Sequence, residues 1–206
     1  MDLNSLGKKA WKRGRGGSAI IEAVVGVSLL TVGILGILNL ITNSMRYNDI
    51  VTGRFVAANL AAEGVEVIKN VVDKALAHQY PWSSLSFVFP AGFWDGWYQV
   101  SYDGDIVNIG GNPPNVRNIT LVSLNLNQEP DVSTLPVLRV DESSNRPLYG
   151  YAVGTETPFK RLVRVEWNDY VGGEYVRMDV ESRVYWTARG RSYTTVVSDR
   201  FYKWRQ

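Results

Sequence analysis

The sequence predicts an α+β fold in which one long amino-terminal helix packs on a carboxyl-terminal antiparallel sheet. Three observations predict it. No proline interrupts the stretch from Ser18 to His78. Small and apolar residues recur at three- and four-residue spacing in the second half of that stretch. From Val163 to Tyr202 apolar and polar residues alternate with period two, broken by glycine turns.

The helix comes first. From Ala23 to Met45 the chain has no charged residue, and at about 1.5 Å per residue this run is about 35 Å long, enough to cross a bilayer. Immediately before it stand Lys8, Lys9, Lys12, Arg13 and Arg15 against a single acid, Asp2. The positive-inside tendency keeps this basic segment cytoplasmic and sends everything after Arg46 outward. With no proline before His78, the helix is predicted to continue beyond the membrane for about sixty residues in all, or about 90 Å. Its outer half is amphipathic. Ala57, Leu60, Ala61, Gly64, Val65, Ile68, Val71 and Val72 mark one face, and Asn59, Glu63, Glu66, Lys69, Asn70 and Asp73 fill the others.

The sheet comes last. Val176, Met178, Val180, Val184 and Trp186 alternate with Arg177, Asp179, Glu181, Arg183 and Tyr185, and Ser182 is the single polar residue on the apolar side. Val163, Val165 and Trp167 form the preceding strand, Gly172-Gly173 the hairpin, and Arg189-Gly190 the turn into Ser192 to Tyr202. Between helix and meander, residues 80–157 hold seven of the eight prolines. This region is predicted to be loop-rich, with strands at Trp97 to Tyr102 and Val116 to Leu126. The chain thus divides into a basic leader (1–17), a transmembrane helix (18–45), an amphipathic helix half (46–79), a loop-rich and strand region (80–157) and a β meander (158–206).

Three membrane readings compete for the amino terminus. A secretory signal has an apolar core of about 7 to 15 residues followed by a small-x-small site; this run is longer, and Asn39 to Met45 offers no such site. A plain anchor explains the length but not Glu22, whose carboxylate lies inside an apolar stretch that begins at Ala19. Such a group costs about 2.5 to 3.5 kcal/mol on insertion scales and calls for a partner. A basic leader ending in Gly17, an apolar helix starting at Ser18 and a Glu as its fifth residue, Glu22, together resemble the processing signal of type IV prepilins. The resemblance implies cleavage after Gly17 by a prepilin peptidase, methylation of the new amine of Ser18, and a role for Glu22 in neutralising a neighbouring subunit's amine during assembly. Ser18 departs from the usual hydrophobic first residue, and Ala19-Ile20-Ile21 replaces the commoner Thr-Leu-Ile. The string AANLAAEGVEVI, and the ending with Trp186, a glycine turn, a valine-rich strand and Trp204, are similar to minor pilins of the PilV type and to type II secretion minor pseudopilins.

Composition excludes several function classes. Without cysteine there are no disulfides, zinc-thiolate sites or thiol nucleophiles. The leader carries a net +4, so the chain's +2 leaves −2 on the rest, which removes the basic balance that would argue for nucleic acid. His78 is the only histidine and reads as a solvated helix end, so no catalytic arrangement, metal centre or cofactor is predicted. Asp103-Gly104-Asp105 with Asn108 and Asn112 reads as a turn, with calcium the alternative. The aromatic run through Tyr80, Trp82, Phe87, Phe89, Phe93, Trp94, Trp97 and Tyr98 reads as core and subunit contact, with sugar stacking the alternative. The expected function is that of a structural minor pilin or pseudopilin subunit. Its partners would be other pilin subunits, the prepilin peptidase and the inner-membrane assembly platform, and it would move from the cytoplasmic membrane to a pilus or pseudopilus. A membrane-tethered adhesin or DNA-uptake head is the reading of another class.

Overall fold

The computed structural model describes residues 16–87, 93–107, 115–143 and 147–203. Most of the leader, together with Phe89, Asn108, Asn112 and Trp204, lies outside the described residues. The chain divides into two compact units, residues 1–48 and 49–206. One helix, α1 (Gly16–Ala77), contributes to both and runs 62 residues without interruption.

In the first unit α1 is apolar all round. Every residue from Ser18 to Asp49 is exposed. The three hydroxyl side chains at 28, 31 and 42 turn back onto their own helix: Ser28 Oγ donates to Val24 O at 2.7 Å, Thr31 Oγ1 to Val27 O at 2.7 Å and Thr42 Oγ1 to Leu38 O at 2.9 Å. Their polar groups are thereby satisfied without water.

In the second unit α1 packs on a five-stranded antiparallel sheet of order β2-β1-β6-β7-β8, formed by β1 (Gly96–Val107), β2 (Asn115–Ser123), β6 (Phe159–Val171), β7 (Glu174–Ala188) and β8 (Arg191–Tyr202). This is the pilin-like α+β arrangement. Ala57, Leu60, Ala61, Val65, Ile68, Val71 and Val72 are all buried, the face that the spacing marked, and His78 is exposed just beyond the helix end. Val65 to Ala75 meet Tyr98, Val100, Val163, Val165, Trp167, Met178 and Val180, and α2 (Trp82–Phe87) closes that cluster with Trp82 and Leu85. Trp82 lies edge-on to Trp167, and its Nε1 donates to Tyr175 O at 2.8 Å. Ala57, Leu60 and Ala61 meet Leu138, Phe159, Val184 and Trp186 in a second cluster.

Small residues set the closeness of helix and sheet. A Cβ on Gly64 would lie 2.5 Å from Ser182 Oγ and 3.0 Å from Arg161 Cδ, and one on Gly53 would lie 2.8 Å from Trp186 Nε1. Ser182 breaks the apolar alternation of β7 because a larger side chain there would meet the helix backbone at Gly64. The β7–β8 turn has φ of 51° at Arg189 and 75° at Gly190, the pair of positive values that a two-residue primed hairpin requires.

The region expected to be loop-rich holds more regular structure than the prolines suggested. Besides α2 and a single 3-10 turn (Val132–Thr134), it contains a second sheet of order β4-β3-β5, with β3 (Arg139–Asp141), β4 (Leu148–Gly150) and β5 (Thr155–Glu156). Strand β1 does not stop at Tyr102 but continues through Asp103-Gly104-Asp105, so these residues are not a turn. The register moves from Val100↔Ile119 to Asp105↔Arg117, so that Ser101, Tyr102, Asp103 and Gly104 oppose Asn118 alone. The strand survives because its extra residues are taken up in this bulge.

Candidate functional site

The three residues singled out by spacing, Gly17, Ser18 and Glu22, fall within the first two turns of α1. Ser18 and Glu22 are four residues apart and so share one helix face. Both are exposed, and among the described residues Glu22 has no hydrogen-bond or ion-pair partner. It is also the only ionisable side chain between Ser18 and Met45. The hydroxyls of Ser28, Thr31 and Thr42 are bonded within the helix, whereas this one carboxylate is left without a partner among the described residues.

The surrounding surface is apolar on every side. Leu29, Val32 and Leu40 are each about 70% exposed, and the large residues between Ile20 and Met45 are similarly uncovered. Such a surface is stable only against lipid or against other apolar helices. The helix is long and apolar enough to cross a membrane. Gly26, Gly33 and Gly36 have no atom within 4 Å of the position a Cβ would occupy, in contrast to Gly53 and Gly64 in the second unit. The membrane-half glycines therefore serve no contact within this chain.

Comparison of the chain with family models, curated proteins and solved structures finds no match. Function must be read from the chain's own residues.

The other constellations resolve differently. Lys74 Nζ lies 2.6 Å from Asp105 Oδ2, and Asn118 Nδ2 donates to Asp103 Oδ2 at 2.6 Å, so both carboxylates are engaged by protein groups. No group of three or more His, Asp or Glu with metal-binding geometry occurs among the described residues. Of the aromatic run, Trp82, Phe93, Trp97 and Tyr98 are buried, while Trp94 is 42% exposed. Tyr98 OH donates to Trp94 O at 2.9 Å. Burial pushes the Tyr98 phenol well above its ordinary value. These rings are core.

One residue escaped the sequence reading. Arg161 is fully buried. Its Nη1 donates to Leu60 O at 2.9 Å and to Glu63 Oε1 at 3.0 Å, its Nε donates to Val100 O at 3.0 Å, and Nη2 donates to the same carbonyl. One guanidinium thus ties α1, β1 and β6 together. Strand parity held the signal, because Arg161 lies on the same side of β6 as Val163, Val165 and Trp167.

Proposed function

We propose that this chain is a structural subunit of a type IV pilus-like filament, a minor pilin or pseudopilin. In this reading it is cut after Gly17, methylated at Ser18, and assembled through residues 18–45 of α1. The observation that carries the proposal is Glu22, unpartnered among the described residues, on an otherwise apolar, uncovered helix, four residues from the amine that cleavage would create. An isolated carboxylate in hydrocarbon costs about 2.5 to 3.5 kcal/mol, and a buried ion pair with good geometry offsets most of the desolvation of both groups. The charge that hinders lone insertion therefore favours association with a neighbouring subunit's amine. Before assembly the helix would hold the chain in the cytoplasmic membrane with residues 49–206 outside. Its partners would be other pilin subunits, a prepilin peptidase and an assembly platform in that membrane.

The test is Glu22→Ala in the producing cell. The variant is expected to remain in the membrane fraction, with the protease resistance of residues 49–206 unchanged, and to vanish from sheared filaments. Undiminished incorporation into filaments would sink the proposal.

A further inference from the structure

The cleft between the outer face of the β1–β2 ladder and the small β3–β4 sheet has a volume of about 300 Å³, at the lower bound of about 300 to 1,000 Å³ for ligand pockets. Its floor is the bulged part of β1. Ser101 is only 6% exposed, lines this cleft, and has no hydrogen-bond partner for its hydroxyl among the described residues. Its oxygen is not among the fully enclosed, unpartnered polar atoms, so it is open to water or a ligand from the cleft. Gly150 keeps this hydroxyl accessible, since a Cβ there would lie 2.9 Å from Ser101 Oγ and 3.3 Å from the Tyr102 ring. The Tyr102 ring is 37% exposed, which leaves an aromatic surface at the cleft edge.

The remaining walls supply hydrogen-bonding groups of both kinds. Gln99 and Thr120 are opposite each other across β1 and β2. Asn118 and Asp103, joined at 2.6 Å, present an amide and a carboxylate, and Asp141 contributes a second carboxylate. The Ser143 hydroxyl and amide hold the Asp141 carboxyl below the usual carboxylate range, so it acts as an acceptor only. Among the described residues no Lys or Arg lines the cleft. The two carboxylates disfavour an anionic ligand. Tyr151, Ala152 and Val153 complete the lining on the apolar side.

From this constellation we infer that the cleft binds a neutral carbohydrate of one or two sugar residues. One apolar sugar face would lie on Tyr102, and the sugar hydroxyls would meet Ser101, Gln99, Thr120 and the two carboxylates. A sugar hydroxyl both donates and accepts, which matches a wall carrying donors beside obligate acceptors. This goes beyond a filament role, because that role needs only α1.

The experiment uses the full chain in dodecyldimethylamine oxide micelles, which carry no sugar head group. Fluorescently labelled protein is applied to a printed panel of neutral and sialylated oligosaccharides and of unstructured peptides, and affinities for hits are measured in solution. Saturable binding of a neutral oligosaccharide is expected. Tyr102→Ala should weaken it about tenfold or more, the equivalent of one aromatic or hydrogen-bond contact. Thr120→Arg, at an exposed position where it needs no core rearrangement, should abolish it with an unchanged thermal melt. Glu22→Ala should leave it untouched, which separates this outcome from the fate of the filament proposal. The inference is overturned if no neutral oligosaccharide binds at millimolar concentration, if sialylated glycans or peptides bind as well as neutral glycans, or if folded Thr120→Arg binds like the parent.

Discussion

Arg161 is the only buried charged residue among the described residues, and its partners are unequal. Three of its hydrogen bonds go to the backbone carbonyls of Leu60 and Val100, whereas Glu63 keeps a third of its side chain in water. A half-solvated ion pair contributes about 0 to 1 kcal/mol, while stranding buried groups costs about 3 to 5 kcal/mol. The carbonyl bonds therefore dominate. Arg161→Ala should lower stability in urea unfolding by about 3 to 5 kcal/mol, and Glu63→Gln by about 1 kcal/mol or less. Equal losses would mean that the ion pair carries the site. Tyr98 and Tyr151 give a pH signature. Burial, the larger influence on each, raises both phenols above the ordinary 10.0. A group whose folded pKa is raised contributes stability that is complete below its unfolded value and lost as pH rises through the folded one. Stability should thus hold up to about pH 10 and fall above it. Tyr98→Phe should flatten that alkaline limb without moving the neutral-pH plateau downward by more than one lost hydrogen bond, about 1 kcal/mol.

At the scale of elements, the glycines of α1 separate into two groups that helix propensity alone does not distinguish. Alanine gains about 1 kcal/mol over glycine in a helix interior, and Gly36→Ala, with open space around it, should gain that in an isolated micellar chain. Gly64→Ala should instead lose about 1 to 3 kcal/mol, because its Cβ would overlap Ser182 Oγ and press Arg161 Cδ. Ser182→Gly in the same chain should recover part of the loss. Thermal melts of the three variants check the ordering. The long helix, its buried face and the last three strands were legible because each rests on a period repeated over many residues. The bulge in β1 was not legible. It depends on pairing Ser101 to Gly104 against Asn118, a long-range register that no local pattern carries, and the acidic spacing there read as a turn. The cleft was equally hidden, since Ser101 acquires its meaning only when Gly150, 49 positions away in sequence, is brought beside it. Gly17, Ser18 and Glu22, by contrast, form a local pattern that needs no tertiary structure.

For the whole molecule, the proposed processing would separate precursor from product by charge. The chain carries +2, and its first seventeen residues hold five bases and one acid, so the proposed cleavage after Gly17 would turn a basic chain into one of net −2. It would also change which charges face the membrane. Before the proposed cleavage the basic cluster would anchor the cytoplasmic end of α1; afterwards that end would carry one new amine and Glu22, which would nearly cancel and permit the end to enter an apolar interior. The helix would resist the proposed cut, because α1 already includes Gly16 and Gly17 and a peptidase would have to draw the chain out to reach the bond. Two adjacent glycines lower that barrier by about 2 kcal/mol relative to alanines. Gly16→Ala should therefore slow processing while leaving the cut in place, whereas Gly17→Ala alters the cut position itself and should block it. Isoelectric focusing of membrane extracts should show parent protein as an acidic species, Gly17→Ala as a basic one and Gly16→Ala as a mixture that shifts toward acid with time. Intact mass of the acidic species should place its first residue at Ser18 with one added methyl group; any other first residue would remove Glu22 from the fifth position and with it the reason for pairing the two charges.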